Sequence, residues 1–204
     1  MAVTVHDVYL EVGERWCFAV SLDWPGWARR ARDQAGALEQ LARYQGRYAA
    51  AVPASASVDD VNIVGTLRGD ATTDFGAPAT WGPWDEVPAP PWRARRDRDV
   101  LAACWRYFDL VAAESGPPLA LGPRGGGRHL DAVVDHVREV ERTYGRKVGA
   151  RVPPRTPWAD QRAAILEALE SGGEHTWPPA YGVRRIAWHV LDHAWEIQDR
   201  RVGV

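Results

Sequence analysis

Hydrophobic positions recur at helical spacing through the second half of the chain. The clearest case is the run from Arg184 to Arg201, which contains no Gly or Pro to interrupt a helix. At about 100° per residue, Val183, Ile186, Val190, Ala194 and Ile197 fall on one side. The spacing predicts a helix with that side against a core. Upstream, Asp97 to Ser115 carries Val100, Leu101, Cys104, Phe108 and Val111 at three- and four-residue steps, and Gly116-Pro117-Pro118 ends it. Arg128 to Tyr144 repeats the pattern with Leu130, Val133, Val137, Val140 and Tyr144. A further helix, opened by Pro157 after Thr156, runs to about Ser171 with Ile165, Leu166 and Leu169 inward. Gly172-Gly173 ends it, and Gly125-Gly126-Gly127 is a loop without the flanking residues of a phosphate cradle.

The first 70 residues follow a different period. Val5, Val8, Leu10 and Val12 predict a strand from Thr4 to Val12. Gly13-Glu14 turns the chain into a second strand, Arg15 to Leu22, with Trp16, Phe18 and Val20 on one face. The run Asp23-Trp24-Pro25-Gly26-Trp27 stops it. Asp33, a suitable N-cap, opens a helix to Val52 with Leu38, Leu41, Tyr44 and Tyr48 at helical spacing. Asp60 to Leu67 predicts a third strand. The expected organisation is α+β: a β-β-α-β sheet over residues 1–70, a Pro-, Gly- and Trp-rich linker over 71–95, and four helices over 96–204. The Trp81-Gly82-Pro83-Trp84 run of this linker is expected to lie across the second domain, since exposed tryptophans in a free linker would be a liability.

The formal net charge of −2 gives no electrostatic case for binding nucleic acid or an anionic membrane. No apolar run reaches the ~18 residues that a membrane span needs. The N-terminus lacks the pattern of a secretory signal, so a cytoplasmic protein is expected. Cys17 and Cys104 show no CxxC spacing, and Cys104 on an apolar face is expected to pack as a small hydrophobe. Lys147 is the single lysine. The 11 tryptophans are expected mainly in the core, with some available to line an aromatic pocket.

Candidate chemistry lies in the histidines. His189 and His193 are four apart and share one stripe at the edge of the apolar face, which Glu196 and Arg200 continue. Two such imidazoles can hold one metal ion from one helix. Two solvated histidines on a polar helix edge would give the same pattern. His136 occupies the corresponding edge of its own helix. His129 lies two turns earlier, about 10.5 Å along the axis, so the two cannot share an ion.

Two family resemblances extend this reading. Tyr9-Leu10-Glu11-Val12, the segment from Cys17 to Trp27 and Ala37-Leu38-Glu39-Gln40-Leu41 resemble the HicB-type antitoxin domain, which partners a small toxin. No helix-turn-helix or basic ribbon follows, so a scaffold or dimerisation role is expected of this half, compatible with a homodimer. The helical half, with its closing HxxxH, is similar to the DinB/YfiT-like superfamily of metal-binding four-helix bundles. That resemblance implies His136, His189 and His193 as the ligands of a divalent ion. Zinc or nickel is expected, and cobalt and iron also suit three imidazoles. Glu196 is the better candidate for a carboxylate that supports a ligand, with Asp192 the alternative. The resemblance further implies a small-molecule substrate, for instance a low-molecular-weight thiol, and transfer or hydrolysis at an open metal position. A non-catalytic module with a structural metal is the alternative.

Overall fold

The structure is a computed structural model that describes residues 5–53, 60–116, 119–120, 127 and 129–201. It is α+β. β1 (Val5–Val12), β2 (Cys17–Ser21), β3 (Ala28–Ala31) and β4 (Asp60–Arg68) form one mixed sheet in the order β3-β2-β1-β4. The helices among the described residues are α1 (Gln34–Arg43), α2 (Gln45–Ala51), α3 (Ala71–Phe75), α4 (Pro83–Glu86), α5 (Pro91–Glu114), α6 (Leu130–Lys147), α7 (Trp158–Ser171) and α8 (Pro179–Asp199). None is long and apolar enough to cross a membrane. The expected loop at Gly125 and Gly126 lies outside the described residues, as does Thr4.

β1 pairs with β2 antiparallel, Val8 opposite Ser21 and Val12 opposite Cys17. It pairs with β4 in parallel, with a register irregularity between Val8 and Tyr9. The strand alternation sorts side chains onto two faces. Val8, Leu10, Cys17 and Ala19 join the main core with Ala37, Leu41 and Tyr48 of α1 and α2. Tyr9, Phe18 and Val20 form a second cluster with Trp188 of α8.

Three features differ from the expected elements. β3 is absent from the periodicity reading because Ala-Arg-Arg-Ala has neither alternation nor β-branched residues. It exists because β2 offers a free edge, where Cys17 faces Ala31 and Val20 faces Ala28. The predicted helix from Asp33 to Val52 divides at Tyr44 into α1 and α2, with Asp33 accepting from the Gly36 amide as its N-cap. The 71–95 segment is ordered: it holds α3, α4 and the start of α5. The buried Glu11 carboxylate pins it to the sheet by accepting from Thr73 Oγ1 and from the amides of Ala79 (2.8 Å) and Thr80 (3.1 Å). Trp81 lies against Tyr181 of α8, as expected, whereas Trp84 packs on Tyr9 of the sheet rather than on the helical half.

In the helical half α8 is central: α5 and α6 both pack against it, and α7 packs against α5 and α6. Most of α8 from Tyr181 to Leu191 is buried. One hydrophobic cluster runs without a break from Val8, Trp27 and Tyr48 to Leu101, Cys104, Ile186 and Val190. The turn at Gly26 makes this contact close. A Cβ there would meet Ala187 Cβ at 2.9 Å, and the residue has φ +90°. Only glycine takes both the conformation and the approach without strain. The sheet therefore rests directly on α8, on the side away from the two histidines.

Candidate metal centre

α6 carries His136, and α8 carries His189 and His193. Because α6 packs along α8, the edge position of each histidine faces the other helix. The ligand-capable nitrogens of the three rings lie within 4.8 Å of one another. The ring centroids are 5.3 Å (His136–His189), 5.0 Å (His136–His193) and 4.6 Å (His189–His193) apart. A zinc–imidazole bond is about 2.0–2.1 Å, so two ligands of one ion can be at most about 4.2 Å apart. Small rotations of the rings, under about an ångström at the nitrogen, would bring the widest pair into range. His189 is buried at 7% exposure. His136 and His193 are partly exposed.

Glu196 touches the cluster. Its Oε2 lies 2.8 Å from His193 Nδ1, and its Oε1 accepts from Arg200 Nη1 at 2.7 Å. The pair is an i,i+3 contact, so the helix itself delivers the carboxylate to the ring. The hydrogen bond with His193, reinforced by Arg200, holds the Glu196 carboxyl below the usual range despite its partial burial. With Nδ1 donating to Glu196, the lone pair of His193 sits on Nε2, the nitrogen left for an ion. Arg200 is itself anchored, with Nε donating to the Ala120 carbonyl at 2.9 Å. Asp192, the other expected supporting carboxylate, is engaged elsewhere: its Oδ1 accepts from Arg29 Nη1 at 2.9 Å. One residue's rotation about α8 turns it from the histidine stripe toward β3.

The other three histidines are outside the cluster. His6 is buried beside Trp24 and Trp27. His129 is exposed just before α6, and His175 lines a separate cleft. That cleft, about 630 Å³, lies between the α4–α5 segment and the N-terminal end of α8. Trp81, Trp177, Val87 and Val183 line it, and none of the three clustered histidines does. A relay of rings joins it to the cluster: Trp81 to Tyr181, Tyr181 to Trp177, Trp177 to Tyr144, and Tyr144 to His189, each pair with centroids 5.0–5.7 Å apart. The cleft is thus the roomier space, but the chemistry-bearing residues are on the other side of Trp177.

Two residues of the site were not nominated by periodicity. Tyr144 is expected only as an apolar stripe member, yet its ring stands edge-on to His189 at 5.7 Å. Arg185 lies one turn before His189. Extending the i,i+4 stripe backwards from His193 through His189 would have reached it. In chemical terms the arrangement offers three imidazole nitrogens at one point, a carboxylate that sets one tautomer, and aromatic walls. No protein-family model, no curated protein and no solved structure matches the chain.

Proposed function

We propose that His136, His189 and His193 hold one divalent ion and that the chain is a DinB-like metal-dependent enzyme acting on a small molecule. The observation that carries this is the convergence of three imidazole nitrogens within 4.8 Å from two helices. The donor set fits zinc or nickel. Three protein ligands leave a coordination position for an exogenous thiol or water, and a bound ion lowers the pKa of either, so thiol transfer and hydrolysis are the two reactions this centre suits. The chain's own residues do the rest. His136, His189 and His193 present lone pairs, Glu196 keeps the Nδ1 proton of His193 in place, and Tyr144 and Trp188 shield His189 from water. Helices α5 to α8 correspond to the four-helix bundle of that superfamily, and the HicB-like sheet half serves as the scaffold that braces α8.

Metal analysis of the purified chain tests this reading. The parent should carry one ion per chain. His136→Ala, His189→Ala and His193→Ala should each lose it, while His6→Ala, His129→Ala and His175→Ala keep it. Equal metal content in all six variants would sink the proposal. A screen of low-molecular-weight thiols against electrophilic acceptors, with esters in parallel, then separates transfer from hydrolysis.

A second reading is a partner-binding, antitoxin-like module with a structural ion. The edge strand β4 favours it: Ile63 is 46% and Val64 37% exposed, the kind of edge that accepts another strand. Under that reading chelation lowers the melting temperature, and the thiol and ester screens are blank.

A further inference from the structure

Arg185 rises from the same stripe of α8 as His189 and His193, one turn before the first of them. It is 6% exposed. Its guanidinium carbon lies 4.9 Å from the centre of the Tyr144 ring and 4.7 Å from that of Trp188. Those same rings flank His189, at 5.7 and 6.4 Å. Arg185 and the histidine cluster therefore share their walls.

Other arginines on or against α8 have carboxylates. Arg184 pairs with Asp85, Arg200 with Glu196 and Arg29 with Asp192. Arg185 pairs with no carboxylate among the described residues, and its buried Nη1 has no hydrogen-bond partner there. A guanidinium stays charged at any working pH, and burying it without an anion is costly. The two ring faces offset only part of that cost, because stacking leaves the in-plane N–H donors unanswered.

We propose that Arg185 is the anion anchor of this site, binding the carboxylate of a small substrate whose reacting end lies at the three histidines. The planar fork of N–H donors matches a flat, two-oxygen carboxylate, and rings on its flanks leave that edge as the approach. Along the axis Arg185 lies about 6 Å before His189 and about 12 Å before His193, a span that suits a short molecule. The placement of the reacting end rests on the metal reading above; the anion site itself does not.

The test uses the full chain, metal-free and metal-loaded, titrated calorimetrically at constant ionic strength with butyrate and with its neutral isostere butyramide. Metal-free parent should bind butyrate at least about tenfold more tightly than butyramide, the scale of a charge-assisted hydrogen-bonded pair. Arg185→Met should abolish the preference with metal content unchanged, and Arg185→Lys should retain part of it. No preference in the parent, or a preference that survives Arg185→Met, overturns the proposal. Should Arg185→Met fail to fold, the parent and Arg185→Lys titrations decide. A parent that takes up no ion but still prefers butyrate through Arg185 sinks the metal reading and leaves the anion site standing. Metal uptake without that preference does the reverse.

Discussion

Glu196→Gln is the most searching perturbation of the centre, because it keeps the shape of the side chain and removes its charge. In the parent, Oε2 takes the Nδ1 proton of His193 at 2.8 Å and Oε1 takes an Arg200 N–H at 2.7 Å. Both contacts need an acceptor, and the amide of Gln has only one. If its oxygen faces Arg200, its NH₂ faces His193 Nδ1. That favours the tautomer with the proton on Nε2, where the ion would bind. If its oxygen faces His193, its NH₂ opposes the Arg200 donor. Either way a charge-assisted bond is lost and one donor is misplaced. Losses of this kind around a metal-ligating His weaken metal binding by about 10- to 100-fold, equivalent to about 1.4–2.7 kcal/mol. A competition titration against a chromogenic chelator measures this directly. Circular dichroism should stay that of the parent, and excess metal should restore occupancy. Asp192→Asn, whose parent side chain serves Arg29, should leave metal affinity unchanged. The pH dependence has a defined sign. The Glu196 carboxyl titrates lower in the folded chain than in the unfolded one, so its contribution to stability is fully present above about pH 4.3. It is lost as pH falls through the lower folded value. The acid limbs of the parent and Glu196→Gln stability curves should therefore converge. Parent-like metal affinity in Glu196→Gln would refute the reasoning and make Glu196 a helix residue paired only with Arg200.

Asp85→Ala strips the carboxylate from Arg184, whose Nη2 is 2.6 Å away with both side chains buried. Breaking a buried pair from one side costs about 3–5 kcal/mol, on the order of 10 °C in melting temperature for a chain of this size, and a shift below about 2 °C would contradict it. Gly26→Ala forces a left-handed backbone, costing about 1–2 kcal/mol, and drives Cβ into Ala187. Urea denaturation should show a total loss of at least about 2 kcal/mol, and a neutral result would mean that the sheet does not rest on α8 as described. Burial pushes the Cys17 thiol up to about 11 and the Cys104 thiol up to about 12, so neither is a thiolate at pH 8. An aromatic disulfide reagent at that pH should label neither thiol in the native chain and both once it is unfolded; rapid native labelling would refute this.

Three of the four strands were legible from alternation and from Val and Ile content, although β2 is buried on both faces and β4 leaves Ile63 and Val64 exposed. Periodicity located the principal helices of the second half, because the spacing of apolar residues marks the face that a helix buries. The i,i+4 pair His189 and His193 was legible for the same reason: two residues one turn apart share a stripe in any helix. Adding His136 needed more than spacing. It lies 53 positions before His189, and periodicity places it only at the edge of its own helix; the family resemblance nominated it, and the packing of α6 on α8 brings it to the other two. β3 was invisible because its four residues carry no pattern, and a free edge on β2 makes it a strand. The order in 71–95 comes from Glu11, a buried carboxylate that local sequence alone would assign to a solvated strand position. Glu141 is similar: Arg162 and Trp158 reach it from α7 and allow it to replace an apolar residue in the buried face of α6. The choice between Glu196 and Asp192 turned on where Arg29 sits, and the isolation of Arg185 on which carboxylates other elements bring near. Local burial is a property of short stretches of chain, and so sequence carries it. The pairing of charges across elements depends on how those elements pack, and only the folded chain decides it.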